Sequence, residues 1–353
     1  MSQIVIMGTA YPNPHAAREP HLTFRFAKEI RMEVFSLTLR QMLVMFTLIL
    51  IGFLLRKKSI LPDNAGRVMA KMETFIFVPA LSLFTQMTKC TVRSFAENAH
   101  LILWGFVIVL AAVALAYLVS PLFIRNAKGS SELMYQRNIY RYALTFGNYG
   151  FMGNFIVLGV WGNDMYYKYS LFVFLLGVVC NSWGLYVLVP KEHNASLAQN
   201  LKRGLLTPPM IALVTGIVFG LAGLTAYVPS FIISALESAS KCQGPIAMLL
   251  AGFVIGGYRL KELLLNKKVY IISLLRLIVI PAALMLVLKF AGADDELMTL
   301  ALIAFGTPLG LNTIVFPAAY GADTKTGASM SMISHTLSVI TIPLMYLIFI
   351  VWM

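Results

Sequence analysis

Phe305-Gly306-Thr307-Pro308-Leu309-Gly310-Leu311-Asn312-Thr313-Ile314-Val315-Phe316-Pro317-Ala318-Ala319-Tyr320-Gly321-Ala322-Asp323 is apolar enough to sit in a bilayer. Yet it holds two prolines, three glycines and an Asn-Thr pair. A proline inside a helix removes an N–H and clashes with the carbonyl four residues back, so Pro308 and Pro317 free the carbonyls of Ala304 and Thr313. Broken backbone at membrane depth is tolerated where it lines a cavity or a binding site. In isolation the stretch also reads as a proline-kinked packing helix, so the rest of the chain has to decide.

Hydrophobic residues make up 59% of the 353 and charged residues only 12%, which marks a polytopic membrane protein. The net charge of +13 is spread as short basic clusters between apolar runs. That pattern fits membrane topology better than nucleic-acid binding. Cys90, Cys180 and Cys242 are scattered and form neither a disulfide framework nor a metal-ligand spacing, and the histidines are equally dispersed. No cofactor, metal site or catalytic residue is expected.

Runs of roughly 20 apolar residues are long enough to span. They fall at about 34–55, 67–88, 100–124, 142–161, 166–189, 205–224, 229–257, 269–290, 297–321 and 326–352. The seventh run is long for one straight span and contains Gln243-Gly244-Pro245. Sixteen Lys and Arg lie in the loops after odd-numbered spans. Only Lys89, Arg93, Lys168 and Lys289 lie in the others. The positive-inside rule then puts the odd loops in the cytoplasm and both termini outside. Residues 1–31 are mixed and polar, and Met32 opens a natural start. The segment is expected to be a disordered tail or a misread start.

Ten spans invite a search for two halves. Phe146-Gly147 matches Phe305-Gly306, and Gly162 and Asp164 match Gly321 and Asp323, all at an offset of 159. Five spans repeated as 32–189 and 205–353, joined by a linker at 190–204, would insert the second copy upside down. Inverted repeats with interrupted helices are a signature of secondary transporters. The expected fold is therefore all-α, with ten transmembrane helices in a 5+5 inverted repeat and with interrupted fourth and ninth helices that cross.

Gly147-Asn148-Tyr149-Gly150-Phe151-Met152-Gly153, Asn312-Thr313-Ile314-Val315-Phe316, Tyr320-Gly321-Ala322-Asp323 and Ser334-His335-Thr336-Leu337-Ser338 together resemble the auxin efflux carrier family. That family takes in plant auxin transporters and bacterial carriers of malate- or malonate-like acids. The resemblance implies a fold related to the bile acid:sodium symporters, with substrate near the crossing. The family commonly has a proline after the fourth-span motif. This chain reads Asn154-Phe155 there, so the break rests on Gly147, Gly150 and Gly153, as the ninth-span break rests on Pro308 and Pro317.

Interrupted helices present N–H groups and the positive end of a dipole to an anion. Asn148, Asn154 and Asn312 could add amide donors, and Thr313 a hydroxyl. The rival reading of these residues is interhelical packing. Ionisable groups inside spans are functional candidates by default. Glu73 could carry a coupling proton or pair with Lys71 at the interface. His335, on one face with Ser331, Ser334 and Ser338, reads as a polar seam or a proton site. Glu237 and Lys241 form an i,i+4 pair. Arg276, seven residues into its span, is expected to snorkel to the surface, with anion attraction as the alternative. The reading is a secondary transporter of a small organic anion in a bacterial cytoplasmic membrane. H+ coupling, Na+ coupling and uniport are open, as is a homodimer. The alternatives are a membrane-embedded enzyme or a non-transporting sensor with the same fold.

Overall fold

A computed structural model describes residues 20–127, 129–190, 196–319 and 324–352. All of its regular elements are helical. The longer ones, in chain order, are α1 (Pro20–Lys57), α2 (Ala65–Lys89), α3 (Val92–Phe123), α4 (Ser131–Thr145), α5 (Tyr149–Phe172) and α6 (Phe174–Leu188). There follow α7 (Leu197–Leu205), α8 (Pro208–Leu221), α9 (Ser230–Gly256), α10 (Lys267–Phe290), α11 (Asp295–Gly306), α12 (Asn312–Ala319) and α13 (Lys325–Trp352).

Among the described residues six helices are long and apolar enough to cross a membrane, and eight if each bent pair counts as one span. The bent pairs are α5 with α6 and α7 with α8, each turned by 52°. The remaining apolar runs are divided by breaks into pieces shorter than a bilayer. The expected seventh span is one continuous helix despite Pro245.

Helix α1 runs from Pro20, so residues 20–31, expected as a disordered tail or a misread start, are helical and Met32 lies inside α1. Residues 1–19 lie outside the described residues, as do Tyr320-Gly321-Ala322-Asp323. The linker 190–204 is also partly helical. Ser196 caps α7 by accepting from Gln199 N at 3.2 Å, and the Gln199 side chain accepts from Ser196 N at 3.1 Å, a reciprocal capping box. Leu197, Leu201 and Leu205 form its exposed apolar stripe.

Helices α1 and α9 pack through a seam of small residues. A Cβ on Gly252 would stand 1.8 Å from Ile49 O, and one on Gly52 2.1 Å from Leu249 O. In a membrane such close backbone approach replaces the hydrophobic drive that lipid removes. Basic residues of two neighbouring helices cap the end of α3. Arg137 Nη2 and Lys268 Nζ donate to Ile124 O and Phe123 O at 2.7 Å each, at the negative end of α3. Asp294 accepts from Leu297 N at 2.8 Å as the N-cap of α11, and Glu296 pairs with Lys168. The Glu237–Lys241 pair forms as expected, at 2.7 Å.

Prolines shape two spans in the same way. Wide π turns at Glu73–Phe77 and Leu275–Val279 end two residues before Pro79 and Pro281. The wider turn makes room where each proline ring would meet a carbonyl. At Gly162 the backbone takes φ 76° and ψ −164°, a conformation that needs glycine, and α5 changes direction there.

Candidate functional site

Helix α4 stops at Thr145, and the chain is extended through Phe146 before α5 begins with the π turn Tyr149–Gly153. Helix α11 stops at Gly306, and Thr307–Leu311 stays non-helical until α12 begins at Asn312. The two interruptions touch. Gly147 and Leu309 form an antiparallel bridge, and Asn148 N donates to Pro308 O at 2.7 Å. Each break thus satisfies part of the other's freed backbone, as burial in a membrane protein demands. Ser334 on α13 adds to this by accepting from Leu309 N at 3.0 Å.

In front of the two breaks lies a cavity of about 280 Å3. Asn148, Asn154 and Asn312 line it, with Asn181, Tyr166, Ser170 and Ser82. Val173, Phe174, Met210, Leu213 and Phe316 supply apolar wall. None of its described lining residues is Lys, Arg, His, Asp or Glu. The starts of α5 and α12 both open onto it, and helix starts leave N–H groups without intrahelical partners.

The asparagines are held from behind. His335 Nδ1 lies 2.7 Å from Ser331 O. A carbonyl only accepts, so Nδ1 carries the proton and Nε2 of the neutral ring is the acceptor. Asn148 Nδ2 therefore donates to Nε2, at 3.2 Å. Asn312 Nδ2 donates to Tyr142 Oη at 2.9 Å, and Tyr142 in turn lies 3.0 Å from Cys180 Sγ. Asn312 Nδ2 also reaches Cys180 Sγ, at 3.7 Å, while Asn148 keeps a second N–H and both amides keep the carbonyl oxygen for other partners. Gln86, behind the cavity, donates through Nε2 to Ser170 Oγ at 2.6 Å.

The glycines at the fourth-span break differ in role. A Cβ on Gly147 would meet Thr307 Oγ1 at 2.5 Å, and one on Gly153 would meet Tyr169 Oη at 2.2 Å. Gly150 has open space in front of it. Pro317 lies within α12. Thr313 is buried, and its hydroxyl donates to Gly310 O at 2.9 Å. It secures the turn into α12 and does not line the cavity.

The ionisable candidates sit elsewhere. Glu73 is fully buried while Lys71 is exposed, so the interfacial pair does not form. The Glu73 carboxyl lies beside the Gln243 amide on α9, short of full hydrogen-bond geometry. Arg276 does not snorkel. It is fully buried, and a Cβ on Gly147 would come within 2.8 Å of its Nη2. Sequence reasoning also passed over Tyr142, Cys180, Gln86 and Tyr166. Their signal was only that of isolated polar side chains in apolar runs.

Residues 37–346 match the family described as membrane transport protein. The chain belongs to that family. It is the auxin efflux carrier family that the motifs pointed to. The membrane transport proteins similar to this chain include an uncharacterized transporter, MJ1031, of Methanocaldococcus jannaschii. It is 24% identical over 86% of this chain and 96% of its own length. The uncharacterized transporter YfdV of Escherichia coli is 21% identical over 86% and 95%. One from Methanothermobacter thermautotrophicus is 21% identical over 88% and 98%. The match spans nearly the whole length of each relative. This chain is therefore a membrane transporter rather than an enzyme by family, with spans to match.

Proposed function

We propose that this protein is a secondary transporter that moves a small organic anion, a carboxylate, by alternating access. The observation that carries the reading is the pair of touching interruptions at the wall of a cavity onto which two helix starts open. In this reading the fourth and ninth spans cross there, within ten spans arranged as a 5+5 inverted repeat. The repeats are 32–189 and 205–353, and both termini lie outside a bacterial cytoplasmic membrane.

The carboxylate would be held by N–H groups at the starts of α5 and α12 and by the side-chain amides of Asn148, Asn154 and Asn312, the last turning from its long contact with Cys180 Sγ. Such an arrangement binds anions without a cationic side chain. A cavity of about 280 Å3 is at the small end for ligand sites. Its walls favour one carboxylate on an apolar body over a dicarboxylate. A second charge would land against Val173, Phe174, Met210 and Leu213, where nothing charged meets it and desolvation is costly. Glu73 and His335 are the candidates for carrying a coupling proton.

Uptake of labelled acids into proteoliposomes tests this. Aliphatic and aromatic monocarboxylates should enter, and dicarboxylates of equal size should enter more slowly. An imposed proton gradient should reveal any coupling. Turnover of lipid without uptake of any anion in a broad panel would overturn the reading in favour of an enzyme.

A further inference from the structure

Arg276 heads the fully buried side chains by size. It lies in the π turn Leu275–Val279 of α10, and such turns are frequent at functional sites. None of Nε, Nη1 and Nη2 has a hydrogen-bond partner among the described residues, and no ion pair involves it there. A buried cation left without compensation is strongly destabilising, so something around it must answer the charge.

Two helix ends lie close to it, although no described carbonyl is in hydrogen-bond contact with the guanidinium. A Cβ on Gly147 would stand 2.8 Å from Arg276 Nη2, 2.5 Å from Thr307 Oγ1 and 2.7 Å from Thr307 O. The guanidinium carbon is 5.9 Å from the centre of the Phe305 ring. Phe305 belongs to the last turn of α11, Thr307 follows its end, and Gly147 lies just past the end of α4. Each helix end carries carbonyls without intrahelical partners and about half a negative charge. Two such ends therefore lie near one guanidinium. In transporters built on interrupted helices, half-helix C-termini and unwound carbonyls are where a coupling Na+ is coordinated.

We propose that Arg276 is a tethered cation that stands in for a coupling Na+. It neutralises the carbonyl ends of α4 and α11 behind the breaks and leaves the positive starts of α5 and α12 to face the anion. Transport is then independent of Na+. The proposal rests on the transporter reading. It makes Arg276 a positioning residue, because the guanidinium lies behind the breaks and does not line the cavity.

Wild-type uptake in proteoliposomes should not change when choline replaces Na+ at fixed pH and membrane potential. Arg276→Gln should lose about tenfold or more of the uptake, as expected for removing a buried charge from its partners. Millimolar guanidinium or Na+ should restore part of it. Arg276→Lys should retain more uptake than Arg276→Gln and stay independent of Na+. Thermal unfolding supplies a readout that needs no transport. The midpoint of Arg276→Gln should rise with guanidinium or Na+ relative to choline, and that of the wild type should not.

Na+-stimulated wild-type uptake would overturn the proposal, and so would an Arg276→Gln defect indifferent to both cations. A defect confined to KM for the anion, with no cation response, would mean that the guanidinium contacts substrate directly, which also overturns it. If the wild type takes up no anion, the transporter reading fails, while the cation-dependent unfolding shift still decides the role of Arg276. If Arg276→Gln cannot be recovered folded, Arg276→Lys decides: Na+-independent uptake supports the tethered charge, and Na+-dependent uptake or none refutes it.

Discussion

Asn312→Ala removes a single amide at the start of α12, and its two consequences differ in size. Within the protein it deletes the bond from Asn312 Nδ2 to Tyr142 Oη at 2.9 Å and a long, weak contact with Cys180 Sγ at 3.7 Å. Tyr142 keeps its contact with Cys180 Sγ at 3.0 Å, so the phenol is not stranded. The cost to stability should be about 1 kcal/mol, the net worth of one ordinary hydrogen bond. Toward the anion, the lost bond is charge-assisted and worth roughly 1.5–3 kcal/mol. At about 1.4 kcal/mol per factor of ten, KM should rise roughly ten- to a hundredfold. Tyr142→Phe separates the two effects, since it leaves the amide in place with only its long contact to Cys180 Sγ and should raise KM by only about threefold. Initial uptake rates over a range of carboxylate concentrations give KM, and thermal unfolding in detergent gives the stability change. A folded Asn312→Ala protein with unaltered KM would refute the placement of the anion at this amide.

Other perturbations follow from the same geometry. Gly147→Ala drives a methyl into Thr307 O and Arg276 Nη2, at 2.7 and 2.8 Å. It should destabilise the protein by at least about 1–3 kcal/mol in thermal unfolding and abolish uptake, whereas Gly150→Ala, with nothing within 4 Å of its Cβ, should do neither. His335→Leu removes the acceptor that steadies Asn148. It should raise KM by about three- to tenfold, the loss of one neutral hydrogen bond, with the protein still folded; an unchanged KM would make the seam purely structural. Glu73→Gln keeps shape and hydrogen-bonding capacity toward Gln243. The protein should fold with normal KM but lose any acceleration of uptake by an inward proton gradient, and a full gradient response would remove Glu73 as the proton carrier.

Much of this arrangement was legible in the chain because it depends on backbone chemistry. Pro308 and Gly147 announce breaks wherever they fall in an apolar run, and the chain is non-helical at both, whereas Gly150, Gly153 and Pro317, counted with them, lie inside helical turns. Asn148, Asn154 and Asn312 stand out because an amide in hydrocarbon needs a partner, and all three line the cavity. Thr313 satisfied the same rule in a different way, since its hydroxyl found Gly310 O three residues back. Arg276 was read as a snorkelling side chain because its place seven residues into a run leaves both directions open. Hydropathy carries no information on which way it faces. The partners Tyr142, Cys180 and Gln86 are contacts between distant segments, and a single sequence does not record those. Helix α7 hid in the linker because its amphipathic run is too short for a span.

Alternating access with the anion at the two breaks is tested most directly by Gly150→Cys in a Cys242→Ser background. Cys90 and Cys180 are buried and Cys242 is exposed, so the new thiol, on the cavity wall in open space, becomes the reporter. A membrane-impermeant maleimide applied from one side of the membrane and then from the other measures its access. Labelling is expected from both sides, slowed from both by a transported carboxylate. Labelling from one side alone, or labelling that no transported anion slows, would contradict it.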